Sequence, residues 1–430
     1  MKYSAVTLQC SVWLAAALSL ISTVSLQAGT LLLKAAHVHT VSGPTLSPGQ
    51  VLVHDGRIAE VAKSVSAKAD QTLDLGAQHL YPGLIAASVE LGLVEIDGVR
   101  ATVDTTEVGE FTPDVRAWIA INPDSEQIPV ARANGITHAE VAPQGGVVAG
   151  QSGVFALAGW TWEDMVIKRP AALHVYWPGM ELDTTPRELA RDKSKWKSLD
   201  DQAKDRDRRL KALDDFFEEA RAYAKARPKS PVPAWEAMRP FVLGEAPVIV
   251  HANEIRQIRA AVAWGTTRGY RLVIAEARDA WMAAPLLAEK KIPVIYEAVF
   301  KLPVRQVNPY DVHFKAPSVL QQAGVLVAIT SDSRASNLRN LPYNAAQAMA
   351  FGLAPAEALK TITLNPAQIL GVADRLGSLE PGKQATLFAA TGDILDIRSQ
   401  VKRMWIAGRE VSLESRHTRL YEKYRNRPKP

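Results

Sequence analysis

Eight short apolar runs in the middle of the chain restrict its fold more than any other feature. They are Leu84–Ser88, Ile136–Val141, Gly153–Leu157, Ala172–Val175, Pro247–His251, Arg271–Glu276, Ile292–Glu297 and Val325–Ser331. Each has the length of a buried strand. From the fifth onward they alternate with helical stretches such as Ile255–Trp264 and Ala280–Ala288. Strands joined by helical crossovers lie parallel, and eight of them predict an α/β fold of the (β/α)8 TIM-barrel type. The early part is looser, because the glycine-rich segment Ala142–Ser152 leaves no room for a helix. Within 191–228, Leu199, Ala203, Leu210, Leu213, Phe217 and Ala220 recur at three- and four-residue spacing amid dense charge, which predicts an amphipathic helical insert.

Outside residues 82–373 the pattern changes to short strands and turns. Leu31–Leu33, Val51–His54 and Arg57–Val61 precede the centre, with Asp55-Gly56 as a hairpin turn. Ala385–Ala389, Val401–Ile406 and Glu410-Val411 follow it. Neither end holds enough apolar surface to stand alone. Residues 29–81 and 374–413 are therefore expected to combine into one small flanking β-sandwich domain.

Residues 81–90 read Tyr-Pro-Gly-Leu-Ile-Ala-Ala-Ser-Val-Glu, a Pro-Gly turn opening the first apolar run. The stretch resembles the amidohydrolase superfamily, metal-dependent hydrolases of the imidazolonepropionase-like and dihydroorotase-like kind. In that family Pro-Gly-Leu-Ile-Asp-x-His-x-His opens the first barrel strand, and both histidines reach a metal. Here Ala86 stands for the aspartate, Ser88 for the first histidine and Glu90 for the second. Further marks are His54-Asp55-Gly56-Arg57-Ile58, Thr363-Leu364-Asn365-Pro366-Ala367, Leu370-Gly371 and Gly377–Lys383. They span nearly the whole chain after residue 28. The resemblance implies the barrel and the flanking domain, and it makes this chain a divergent member whose metal-ligand motif is degraded.

Residues 1–28 carry one charge, Lys2, then apolar runs and the small residues Ala28-Gly29, which reads as a secretory signal peptide and implies a periplasmic or secreted protein. No stable membrane anchor is expected. The only cysteine, Cys10, falls inside that segment, so the rest of the chain has no disulfide or thiol chemistry. The formal charge of +5 does not signal nucleic acid. Lys2 accounts for one charge and the tail 414–430 for four, leaving a neutral body and a solvated basic tail.

Chemistry in such a barrel sits at the C-terminal strand ends. The resemblance implies a metal ligand at His251 on the fifth strand, and a ligand and proton acceptor at Asp332 on the eighth. An aspartate there can instead cap the next helix. The sixth-strand histidine is replaced in Ala275-Glu276-Ala277, and the nearest polar candidate on the fourth strand is His174. His251, Asp332, Glu90 and Glu276, with His174, are thus the expected ligands of one divalent metal. Such an oxygen-rich set tilts from zinc towards manganese or magnesium. A bound ion would lower the pKa of water from about 16 towards 7, and Asp332 would take its proton. The other reading is no metal at all, with the carboxylates in ordinary pairs.

Three functions follow. One is a hydrolase of non-peptide C–N bonds in a small, often cyclic, substrate, using a rearranged single-metal site. The second is an inactive relative that binds a small ligand, or serves as a partner subunit in a homo-oligomer or beside an active relative. The third is a metal-free hydrolase using Glu90, Glu276 and Asp332 as acid and base. Trp160-Thr161-Trp162, Tyr176-Trp177 and Asn308-Pro309-Tyr310 follow expected strands and are candidates to line the pocket.

Overall fold

The computed structural model describes residues 29–226 and 228–428; the expected signal segment lies outside them. Among the described residues, no helix is long and apolar enough to cross a membrane. Two outer sheets are built from both chain ends. One has four strands in the order 57–62, 49–54, 30–35, 71–74; the other has five, in the order 409–410, 401–406, 387–390, 79–82, 37–38. The Asp55-Gly56 turn joins 49–54 to 57–62 with φ of 48° and 72°, a conformation glycine adopts freely. Leu33, Val51, Ile58, Leu80, Leu387 and Trp405 bury together, so residues over 300 positions apart share one apolar cluster.

All eight expected runs are strands, and the structure is TIM-barrel-like. We label the central strands β1 (Leu84–Val89), β2 (Ile136–Val141), β3 (Val148–Gln151), β4 (Gly153–Ala156), β5 (Leu173–Tyr176), β6 (Pro247–Ala252), β7 (Arg271–Glu276), β8 (Val294–Tyr296) and β9 (Val327–Ile329). β1 and β2 are parallel, and β5 through β9 form a parallel series in chain order. A Cβ at Gly83 would run into the Thr137 side chain, so the Pro-Gly turn permits the close start of β1 against β2.

The third expected strand departs from an all-parallel barrel. β4 runs antiparallel to β2, and β3 antiparallel to β5. The physical reason is loop length. A parallel return needs a crossover of a dozen or more residues, usually helical, and Ala142–Ser152 supplies none. Only Ser152 separates β3 from β4, so one stretch of chain serves both central sheets. No ladder joins β1 to β9. They meet through Thr330 Oγ1, which donates to the Ala87 carbonyl at 2.8 Å, and Glu90 N–H, which donates to the Ser333 carbonyl at 2.8 Å. Ile85, Ala87, Val154, Ile249, Val273, Ala275, Ile295 and Ala328, drawn from six of the strands, pack in one buried cluster.

The insert is one helix, Leu199–Ala226, burying Leu213, Phe217, Ala220 and Ala224. Its first half is solvated, Leu199 included. The basic tail is ordered as a helix, Arg416–Arg425, with no buried residue and Arg419 paired to Glu126 at 3.2 Å.

His37, His39, His79 and Tyr81 crowd one face of the five-stranded outer sheet. His37 faces His79 in the register, and His39 stacks on Tyr81 at 4.1 Å between ring centroids. Burial, then the charge of His79, depress the His39 imidazole to about 4, with Asp393 opposing and His37 adding to the fall. The unfolded chain, near 6.5, binds a proton that the folded chain refuses between these values. Stability is therefore expected to be full above about pH 6.5 and to fall as pH drops towards 4. Urea midpoints measured across that window should show the loss, and His39→Gln should flatten it; an unchanged slope would refute the assignment.

Candidate active site

Strand alternation decides which side chains meet. On β6, Ile249 belongs to the interior cluster, so His251 two residues on shares its face. On β5, His174 stands beside Ile249 and Tyr176 beside His251 in the ladder. On β7 the position beside His251 is Ala275, and Glu276 follows it. Glu276 reaches the site because its φ is 63°, which breaks the alternation of the strand. Ser88 (56°) and Asp332 (94°) share this left-handed backbone, uncommon for non-glycine residues. Such strain concentrates at functional sites.

These elements line up four titratable side chains in a buried row. The His174 Nε2 and Glu140 Oε1 are 2.9 Å apart, His174 Nδ1 and His251 Nε2 are 2.9 Å apart, and His251 Nδ1 and Glu276 Oε1 are 3.1 Å apart. Glu140 and His174 are fully buried, while the Glu276 side chain is 25% exposed. The row thus runs from the protein interior to an open end. Glu140 Oε2 accepts the Ser88 N–H at 2.8 Å, and Asn253 Nδ2 donates to Glu276 Oε2. Tyr176 lies flat on His251 at 4.0 Å, and its hydroxyl donates to the Pro143 carbonyl.

The carboxylates around the open end have opposite environments. Burial pushes Glu276 up, but the hydrogen bond and charge of His251 more than offset it and hold the group below the usual range. Glu140 behaves alike, with burial outweighed by His174. Glu90 is raised by burial and by the charges of Asp97 and Asp332, although hydrogen bonds from Ser333 and Gln144 oppose. Glu297, just beyond β8, is raised by burial despite its ion pair with Lys301. Burial also raises the Tyr176 hydroxyl, and the charges of Glu276, Glu90, Glu297 and Glu140 add to it.

Of the residues expected from the sequence, His174, His251 and Glu276 are joined directly. Glu90 accepts from Gln144, and Asp332 accepts from Arg334 N–H and Asn337 Nδ2, each at 2.8 Å. These bonds close a local turn and do not cap the next helix, Ala335–Asn340, whose N-cap is Arg334 with no side-chain cap bond. Glu140, Glu297, Asn253 and Gln144 were missed, although an acidic residue inside the apolar run Ile136–Val141 is the kind of oddity that marks a site. Trp160 is 92% exposed, and the reversed direction of β4 puts it at the opposite end of the strands from the row. Trp177 is buried against Trp264.

The resemblance to metal-dependent hydrolases implies a bound metal ion. Among the described residues, no three His, Cys, Asp or Glu side chains stand where they could hold an ion together. Both nitrogens of His174 and both of His251 are committed to neighbours on opposite sides of each ring, so the donors form a row rather than a cage. As they stand they do not fit the group.

With this geometry in hand, comparisons place the chain. The amidohydrolase family model matches residues 247–411. An amidohydrolase structure from Thermotoga maritima MSB8 aligns with a TM-score of 0.78 and 27% identity, covering 89% of this chain and 99% of that one. A zinc-bound adenosine deaminase structure from Xanthomonas campestris aligns at 0.52 and 18%, covering 92% and 97%, a likeness of fold alone. N-acetylgalactosamine-6-phosphate deacetylase of Escherichia coli O157:H7 is 44% identical over 61 residues, 14% of this chain and 15% of its own length. 5-Methylthioadenosine/S-adenosylhomocysteine deaminase of Teredinibacter turnerae is 33% identical over 119 residues, 22% of this chain and 27% of its own length. The matched segments span at most 27% of the length of these two curated relatives.

The segment after β8 borders the same strand ends. Its Arg305 reaches back to Asp279, whose side chain has no exposure: Nη1 donates to Oδ1 at 3.1 Å and Nη2 to Oδ2. Arg278 and the Ile255 N–H complete the shell of Asp279. Replacing Arg305 by Ala should cost about 1–3 kcal/mol, the range for a charged hydrogen-bonded pair. Trypsin should then cleave sooner after Lys301. A melting temperature and cleavage rate equal to the parent's would show that the clasp holds nothing.

Proposed function

Because the chain belongs to the amidohydrolase superfamily, we propose that it hydrolyses a non-peptide C–N bond of a small molecule by acid–base chemistry of its own side chains. One observation carries this reading: Glu276 is paired with His251 at the open end of a buried row, while Glu90, past the end of the first strand, accepts from Gln144 and has no cation partner among the described residues. Carboxyl groups driven apart by their surroundings divide into base and acid. Members of the family are typically metal-dependent, and no step is routed through an ion here because the donors do not converge.

Water enters against Glu276, which takes its proton with His251 holding the carboxylate in place. The oxygen bonds to the substrate carbon, the C–N bond breaks, and Glu90 passes its proton to the leaving nitrogen. Glu297 is the poorer acid, since Lys301 favours its charged form. Asp332 works at one remove: after burial and Asp97, it adds to the rise of the Glu90 carboxyl. The proposal takes the central strands as a closed barrel and the two outer sheets as one flanking domain, supported by their shared buried clusters.

A second reading has one observation in its favour. The segment after β8 shows Leu302, Val307 and Tyr310 at 85%, 88% and 76% exposure, apolar surface that suits a non-catalytic partner subunit.

The deciding assay uses a panel of N-acyl amino sugars, cyclic amides and aminated bases, with and without chelator. Turnover should survive the chelator, and Glu276→Gln should lower kcat by about 10²- to 10⁴-fold. Activity lost to chelator and restored by a divalent ion would overturn the proposal.

A further inference from the structure

We propose that Glu140 is a positioning residue that fixes which ring nitrogen of His174, and through it of His251, carries the proton. The inference builds on the acid–base reading above, but its test does not use turnover. Glu140 touches neither the open end of the site nor Glu276. It is joined to them only through the two rings.

The argument is a count of donors. The Ser88 peptide N–H can only donate, and it donates to Glu140 Oε2. The other oxygen, Oε1, faces His174 Nε2 at 2.9 Å. A carboxylate accepts on both oxygens, so the proton of this contact lies on His174 Nε2. Burial disfavours a second proton on the His174 ring, so its Nδ1 is an acceptor, and the 2.9 Å contact with His251 then requires the proton on His251 Nε2. The direction of the first contact thus sets the direction of the second. An orienting partner that fixes a histidine tautomer is a general device of catalytic sites.

The origin of the direction is the backbone of β1. Ser88 adopts φ 56°, and its N–H is spent on Glu140 rather than on a ladder partner. A glutamine at 140 would keep the shape and reverse the order. Its amide oxygen must still meet the Ser88 N–H, because two donors cannot face each other. Its NH2 group then points at His174 Nε2. His174 must turn acceptor at Nε2 and donor at Nδ1, which forces His251 Nε2 to accept as well.

The experiment is ¹⁵N-histidine labelling of the full protein, read by two-bond ¹H–¹⁵N correlation. The chain has nine histidines, few enough to assign by single substitutions. In the parent, His174 should show a protonated Nε2 and a bare Nδ1, with His251 Nε2 protonated. Glu140→Gln should invert His174 and leave His251 Nε2 bare, and Glu140→Asp should restore the parent pattern at least in part. Should Glu140→Asp fold poorly, the parent and the isosteric glutamine variant alone decide the matter. Unchanged ring-nitrogen shifts in Glu140→Gln, or a parent already carrying the proton on His174 Nδ1, would overturn the assignment whether or not the protein turns over any substrate.

Discussion

A carboxylate with no solvent exposure is the constraint around which the centre of this protein is arranged. Burying Glu140 uncompensated would be severely unfavourable. It is tolerated because the Ser88 N–H and the His174 ring satisfy its two oxygens on the spot. That solution propagates. His174 must stay in register beside Ile249, His251 must face it, and Glu276 must leave its strand's alternation to close the far end. Strand pairing, backbone strain and side-chain chemistry are thus linked through one row of hydrogen bonds.

The polar residues around the row settle on partners close at hand. Ser88 spends its peptide N–H on Glu140. Glu90 withdraws to Gln144 and to its β9 neighbour, the Ser333 backbone. Asp332 turns back on Arg334 and Asn337. Each departure finds a local partner, so no donor is left aimed at a common point. What remains open to solvent is a rim of carboxyl groups in unequal surroundings, with Tyr176 roofing His251. Such inequality is what acid–base chemistry requires, and a uniformly solvated acidic patch would not supply it.

Much of this was legible in the residues. The apolar runs gave eight of the nine central strands within a few positions, because burial on both faces leaves a continuous hydrophobic signature; β3, inside the glycine-rich segment Ala142–Ser152, was not among them. The Asp55-Gly56 turn and the pairing of both chain ends followed from turn chemistry and from the shortage of apolar surface at each end. His251 and Glu276 were named as neighbours of one site from their places at successive strand ends. The direction of β3 and β4 was available in principle from the missing crossover. Trp160 was misplaced because an antiparallel strand sends its following loop to the opposite end.

By itself the sequence determined eight of the central strands and the residues that end them, since these depend on local composition and spacing. Only the tertiary structure decided how those residues bond. Glu140 and His174 lie 34 positions apart, and His174 and His251 lie 77 apart. Their contact depends on ladder register and on left-handed backbone at Ser88 and Glu276, neither of which has a periodic trace in the chain. The physical reason is range: hydrophobic pattern is a property of neighbours in sequence, whereas a hydrogen bond is fixed by neighbours in space.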